Sequence, residues 1–86
     1  MLEINKIYNE DCLEGMKKID DKSVDFIFTD LPFSTTQNSW DVLIPFKPLW
    51  EQYERIIKDN GCIALWAQSP FDKRLACSNE KLYRYE

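Results

Sequence analysis

The sequence predicts an α/β domain, with a mostly parallel sheet and flanking helices, from three observations. Two apolar runs, residues 24–29 and 62–67, are typical of strands that are buried on both faces. The stretch 49–57 between them repeats apolar side chains at helical spacing. A helix that joins two such strands is the crossover unit of a parallel sheet. Because 86 residues support one core, we expect a single domain over residues 1–86.

The N-terminal third is predicted to contain a strand, a helix and a turn. Residues 4–8 are partly β-branched and lie between polar residues, which favours a first strand. A helix should follow, with Asn9 or Asp11 as its N-cap. Its apolar face is expected to hold the residues spaced three to four apart, Cys12, Leu13, Met16 and Ile19. Residues 20–23 are polar and should form the turn into strand 24–29.

Proline and glycine indicate where the later helices begin and end. Pro45 and Pro48 lie where the helix between the two apolar strands should begin, and Asn60-Gly61 should end it with a left-handed cap. Another helix is expected after strand 62–67. Ser69-Pro70 would supply its cap and first helical position, and Asp72 the acid of a capping box.

Composition excludes several classes of protein. The chain is 44% hydrophobic and 30% charged, which is typical of a soluble globular domain. It has neither an apolar run near the roughly 20 residues of a membrane span nor a signal-peptide core, so we expect a cytoplasmic protein without a membrane partner. The formal net charge is −4, whereas surfaces that grip nucleic-acid phosphates are normally basic. The chain alone should therefore bind nucleic acid poorly.

The chain also lacks the usual metal ligands and the usual general base. It contains no histidine, and its three cysteines, Cys12, Cys62 and Cys77, form no closely spaced pair. We expect reduced thiols in the core, no disulfide framework and no metal site. Any proton chemistry must then fall to carboxylates or water.

Residues 30–44 are predicted to form a long polar loop at the carboxyl end of strand 24–29. Ligands of parallel sheets bind beyond the carboxyl ends of the strands, so a function is expected there first. Asp and Pro are also common turn residues, and Asp30-Leu31-Pro32 by itself fits an ordinary turn. The buried strand before it, together with the helix and second buried strand after it, favours a functional loop.

Residues 25–33, DFIFTDLPF, resemble the strand and catalytic motif of the N6-adenine and N4-cytosine DNA methyltransferases, which use S-adenosylmethionine. The motif here is a D-x-P-F variant of the D-P-P-Y pattern. Two flanking stretches fit the same family, the N-x-D-C-L-x-x-M pattern at 9–16 and the K-x-x-G pattern at 58–61. The resemblance implies a partial Rossmann-like methyltransferase fold that carries the catalytic half. The departures are Leu31 for the usual proline and Phe33 for the usual tyrosine.

The resemblance gives the loop residues catalytic roles. An exocyclic amine is a poor nucleophile because its lone pair is delocalised into the ring. The Asp30 carboxylate and the Leu31 carbonyl would each accept one N–H, so that the lone pair points at the sulfonium methyl. Pro32 would keep that carbonyl directed outward, and Phe33 would stack on a base that has left the duplex. Leu31 lacks the rigidity of the proline ring. Asp30 favours adenine over cytosine as the target.

Several further residues are candidates for binding. Ser34 and Thr35, like Thr36, would contact the flipped base or a phosphate, although a polar loop lining is the more common role for such residues. Asp11 and Asp30 are the candidates to face the cofactor, and helix capping is the competing role for Asp11. Trp40 and Asp41 would shape the entrance of the loop, and Trp40 is equally plausible as a packing anchor under the loop. Trp66 and Tyr53 fall on buried elements and are expected in the core.

The cofactor motif is expected outside this stretch of sequence. Only Gly15 and Gly61 occur, so no glycine-rich loop can approach a nucleotide closely. A cofactor motif and a target-recognition region would then lie elsewhere, and the chain alone should be inactive. Two other functions stay open: an N-methyltransferase for another planar amine or amide, such as a protein glutamine, and a non-catalytic α/β interaction module.

The sheet of such a partial domain should have open edges. Strands 4–8 and 24–29 would be separated by other strands in a full methyltransferase sheet, and residues 82–85 would begin one more. Open edges invite new pairing. We therefore expect either direct pairing of 4–8 with 24–29 or a homodimer through the exposed edges.

Overall fold

A computed structural model describes residues 2–32 and 43–84 of the chain. The predicted α/β class is confirmed, with a two-stranded parallel sheet and flanking helices. Such a unit is compatible with part of a Rossmann-like fold. The elements in chain order are α1 (Cys12–Met16), β1 (Val24–Asp30), α2 (Phe46–Ile56), β2 (Ile57–Trp66) and α3 (Phe71–Ser78).

The parallel pairing of β1 and β2 brings the carboxyl ends of the two strands together. From Phe26 onward the register is regular, and Asp30 lies opposite Trp66 at the end of the ladder. Before that point, Val24 pairs with Ile57 and the register then shifts, because β2 carries extra residues opposite Asp25. Lys58 in this irregular stretch forms an ion pair of 2.9 Å with Asp25.

The core lies between one face of the sheet and the three helices. Buried side chains from every layer meet there, namely Met16, Ile27, Leu31, Leu49, Tyr53, Ile56, Phe71 and Leu75. Helix α2 is amphipathic, and its buried residues are Leu49, Tyr53 and Ile56, as the helical spacing predicts. The predicted start of this helix near Pro45 is confirmed, since Pro45 is its N-cap.

The opposite face of the sheet carries exposed aromatic side chains. Phe26 is 55% exposed, and Phe28 and Trp66 are each 59% exposed. The prediction that both strands are buried on both faces is therefore wrong, as is the assignment of Trp66 to the core. The reason is that side chains alternate along a strand, and the helices within residues 2–32 and 43–84 pack on the face that bears Ile27. The three rings instead contact one another, with centroids 6.0 Å apart along the row.

Helix α1 is short, and hydrogen bonds from α2 hold its C-terminal end. Asp11 is its N-cap, as predicted, and the Asp11 carboxylate accepts a hydrogen bond of 3.2 Å from the Leu13 amide. The helix ends at Met16, three residues before the predicted apolar face does. The Arg55 guanidinium donates hydrogen bonds of 2.7 Å to the carbonyls of Met16 and Ile19 and so closes the end of this segment.

The strand predicted at residues 4–8 does not form. Asn5 has φ 59°, which interrupts an extended backbone, and Ile4 and Ile7 are 79% and 94% exposed. β-branched composition is not sufficient for a strand without a neighbour to pair with. The expected pairing of 4–8 with 24–29 is therefore wrong, because β1 pairs with β2. The homodimer stays a prediction, which light scattering on the purified chain would test.

The boundary between α2 and β2 differs from the predicted one. The helix ends at Ile56, and Asn60 and Gly61 lie inside β2, so the left-handed cap at Gly61 is wrong. No glycine among the described residues has a positive φ. Gly61 is needed for a close approach instead. A Cβ there would lie 2.9 Å from the Asp25 carbonyl oxygen and 2.8 Å from Ile57 side-chain atoms.

Two further predictions near the C-terminus are wrong. Helix α3 begins at Phe71 with Pro70 as its N-cap, and no side chain caps it, so Ser69 is not the cap and Pro70 is not the first helical residue. Asp72 does lie in the first turn. Residues 82–84 form no strand, and residue 85 of that predicted strand lies outside the described residues. Within the described sheet, β1 and β2 have no pairing with this segment.

The three cysteines are free thiols, but all three are exposed rather than in the core. Cys12 lies at the start of α1, Cys62 is on the uncovered face of the sheet, and Cys77 is on the outer side of α3. Small apolar residues at the ends or edges of elements escape burial when no second layer covers them. Over residues 2–32 and 43–84, none of the helices has the length and apolar character needed to cross a membrane.

Candidate functional site

The carboxyl end of β1 carries the described part of the predicted catalytic motif. Asp30 is the last residue of the strand and is exposed, whereas Leu31 is buried in the core with 4% exposure. Pro32 is partly buried. An exposed carboxylate is thus followed directly by a packed apolar anchor. The other predicted loop residues, Phe33, Ser34, Thr35, Thr36, Trp40 and Asp41, lie outside the described residues.

The residue before Asp30 is held by a side chain from α2. The Tyr53 hydroxyl, on a side chain with 4% exposure, donates a hydrogen bond of 3.2 Å to the Thr29 hydroxyl. Burial raises the pKa of Tyr53, the hydrogen bond with Thr29 lowers it, and the charge of Cys12 adds a smaller upward effect. Its assignment to the core is confirmed. The contact with Thr29 was not predicted, because helical spacing shows that Tyr53 faces inward but not which strand residue it meets.

Asp11 lies at the start of α1, and its carboxylate serves as a helix cap. Partial burial, followed by the adjacent Asp11 charge, raises the pKa of the Cys12 thiol. Asp11 is exposed, and one of its carboxylate oxygens caps α1 at the surface of the molecule.

The chemistry of this region is that of carboxylates and a backbone carbonyl. In the portion of the chain that the structure describes, no group of three or more histidine, cysteine or acidic side chains is arranged to hold a metal ion. Asp30 and Asp11 offer hydrogen-bond acceptors and negative charge, and the Leu31 carbonyl offers a further acceptor. The arrangement can accept N–H groups of a planar amine and can favour a cationic ligand.

The fold is that of an α/β protein, and the comparisons find weak homology to two Type II methyltransferases. The chain is 31% identical over 74 residues to the Type II methyltransferase M.BamHI of Bacillus amyloliquefaciens, which covers 74% of this chain and 18% of that protein. It is 28% identical over 85 residues to the Type II methyltransferase M1.MboII of Moraxella bovis, covering 90% of this chain and 32% of that protein.

The homology covers most of the chain but a minor part of each relative. The chain spans about a fifth of the length of M.BamHI and about a third of the length of M1.MboII. No family model matches the sequence. No solved structure matches it either. The two relatives support a resemblance to Type II methyltransferases in general.

Proposed function

We propose that this chain is the catalytic-motif portion of a DNA methyltransferase that transfers a methyl group from S-adenosylmethionine to the exocyclic amino group of adenine. The observation that carries the proposal is the exposed Asp30 at the carboxyl end of β1, followed by Leu31-Pro32. Weak homology to two Type II methyltransferases supports it. Restriction–modification is the biological setting in which Type II methyltransferase activity would be expected.

The proposed chemistry requires two acceptors at one nitrogen. The Asp30 carboxylate accepts one N–H of the amine and the Leu31 carbonyl accepts the other, which localises the nitrogen lone pair. S-adenosylmethionine, when bound, would supply the methyl group to that nitrogen, and Asp30 or water would take up the amine proton that is lost. Phe33, with Ser34 and Thr35, would hold the base outside the duplex. DNA would be bound by other parts of the complete enzyme, because this chain carries a net charge of −4 and would bind phosphates poorly.

Two exposed acidic residues, Asp11 and Asp30, have the charge that a cationic cofactor requires. S-adenosylmethionine supplies an electrophilic methyl group on a positively charged sulfur. Asp11 and Asp30 are both exposed carboxylates, and negative charge favours binding of a sulfonium or ammonium group. Asp11 also caps α1 through one oxygen, so its two roles must be separated by experiment.

The role of Asp30 is tested in a complete enzyme, in which these residues are joined to a cofactor-binding region. Transfer of labelled methyl groups to DNA should fall about 100-fold or more in Asp30→Ala, since a positioned polar contact to the reacting group is lost. Cofactor binding, measured by calorimetry, should weaken much less than methyl transfer, because the Asp11 carboxylate keeps its negative charge in this variant. Asp25→Ala is the matched control, because Asp25 is an exposed carboxylate on the same strand that pairs with Lys58. Its activity should stay within about twofold.

Two outcomes would overturn this assignment. Full activity in Asp30→Ala would remove Asp30 from the reaction. Loss of cofactor affinity with the methyl-transfer step intact would place Asp30 against the cofactor only.

The role of Asp11 is tested with a substitution that keeps the helix cap. Asp11→Ser retains a side-chain oxygen at the N-cap, which serine fills about as well as aspartate, and removes only the charge. The proposal expects weaker cofactor binding in the complete enzyme with unchanged helix content by circular dichroism. Unchanged cofactor affinity in Asp11→Ser would leave Asp11 with the capping role alone.

A further inference from the structure

The geometry points to Tyr53 as a positioning residue for Asp30, acting together with the buried side chain of Leu31. This inference rests on the proposed function, since it explains how the carboxylate and the neighbouring carbonyl are held in a fixed relation. Tyr53 touches neither the amine nor the cofactor in this scheme. It acts through Thr29.

The backbone before Asp30 is held by a hydrogen bond from α2. A buried tyrosine hydroxyl needs a hydrogen-bond partner, and that of Tyr53 uses the Thr29 hydroxyl at 3.2 Å. Tyr53 is itself restrained, because its ring meets Trp50 edge-on with centroids 5.8 Å apart. The Trp50 indole donates a hydrogen bond of 2.8 Å to the Ser78 hydroxyl. Thr29 is thus tied through α2 to α3.

The backbone after Asp30 is held by the burial of Leu31. Side chains alternate along a strand, so Thr29 and Leu31 face the core while Asp30 faces outward. Leu31 is 4% exposed and belongs to the core cluster. Packing therefore restrains position 31, where this chain has leucine and the D-P-P-Y pattern has a rigid proline. An exposed carboxylate lies between two anchored neighbours, one held by a hydrogen bond and the other by burial.

The experiment measures backbone order at Asp30 and Leu31 by ¹⁵N relaxation on the 86-residue chain. In the unsubstituted chain the order parameters should be near 0.85, the value of a rigid backbone, and in Tyr53→Phe they should fall toward about 0.6. Thr29→Val removes the acceptor at nearly constant shape and should give the same fall. Thr29→Ser keeps the hydroxyl acceptor, so the order parameters of Asp30 and Leu31 should stay near those of the unsubstituted chain. Tyr8→Phe is the matched control, because the Tyr8 hydroxyl bonds the Glu3 carbonyl far from this site.

A merely structural role for Tyr53 makes a different prediction. It would lower the stability of the whole domain and leave the order of Asp30 and Leu31 unchanged in the folded molecules. That result, or loss of order in Thr29→Ser as large as in Thr29→Val, overturns the positioning role. The measurement needs no methyl transfer. Failure of the proposed function would appear separately, as an Asp30→Ala enzyme that keeps full activity while these order parameters behave as expected.

Discussion

Replacing Arg55 should destabilise the domain more than replacing any exposed cation. Its guanidinium donates hydrogen bonds to the carbonyls of Met16 and Ile19, each at 2.7 Å, and to the Asp21 carboxylate at 2.6 Å. The Arg55 side chain is 29% exposed, so the two carbonyl contacts are partly shielded from water. Helix α1 has 5 residues, and isolated helices of that length are not stable. Arg55 therefore supplies much of what holds α1 against α2.

The magnitude follows from the contacts. A hydrogen bond from a charged donor contributes about 1.5–3 kcal/mol, whereas a pair with an exposed partner contributes about 1 kcal/mol at most. Asp21 is 75% exposed and belongs to the second class. Because contacts made by one side chain do not add, we expect Arg55→Met to cost about 2–4 kcal/mol. Domains of this size have a free energy of unfolding of about 4–13 kcal/mol, so this loss is a large share of it.

Urea unfolding followed by circular dichroism measures this cost. The midpoint should fall by about 1 M or more in Arg55→Met, since small domains lose about 1–3 kcal/mol per molar urea. The midpoint of Arg55→Lys should lie between those of the unsubstituted chain and Arg55→Met, because lysine keeps the charge but loses the two-pronged geometry of the guanidinium. Asp21→Asn should cost less than about 1 kcal/mol. Arg84→Met is the matched control, as Arg84 is exposed, and should change stability by less than about 0.5 kcal/mol. Equal midpoints for Arg55→Met and Arg84→Met would refute the reasoning.

Three other predictions concern the sheet and the core. In urea unfolding, Ile27→Ala should cost about 2–4 kcal/mol because Ile27 is buried, and Phe28→Ala should cost clearly less because Phe28 is 59% exposed. Gly61→Ala should cost about 1–3 kcal/mol by the same assay, since its Cβ would lie 2.9 Å from the Asp25 carbonyl oxygen. Burial raises the folded-state pKa of Tyr53 above its ordinary value of 10.0. The protonated Tyr53 hydroxyl therefore contributes fully to the free energy of unfolding below pH 10, and this contribution is lost as the pH rises through the folded-state pKa. Tyr53→Phe should remove that alkaline loss, measured as unfolding free energy against pH.

The central crossover unit could be predicted from the sequence because its signals are local. The apolar run that became β1 and the helical period that became α2 each depend on residues close together in the chain. The cap at Asp11 is equally local, since its carboxylate reaches an amide two residues away. The position of Asp30 follows from these elements, because the end of β1 fixes where the next residues emerge.

The features that sequence reasoning missed depend on partners far along the chain. A strand at 4–8 required a neighbour that the described sheet does not provide. The burial of Phe28 required a helix on the second face of the sheet, and the described helices pack on the first. Gly61 looked like a helix cap because glycine is frequent there. Its actual requirement is the close approach of Asp25 on the paired strand.

Position 31 shows how a departure from a motif can be offset by packing. In the sequence, Leu31 stands where the resembling family has proline, and the expected consequence was a loss of rigidity. In the structure, the Leu31 side chain enters the core, and the preceding Thr29 is bonded to a buried tyrosine. Proline restricts a backbone through its own ring, whereas Leu31 is restricted by the side chains packed around it. Rigidity here depends on the core, so substitutions that loosen the packing of Leu31 should also loosen the neighbouring Asp30.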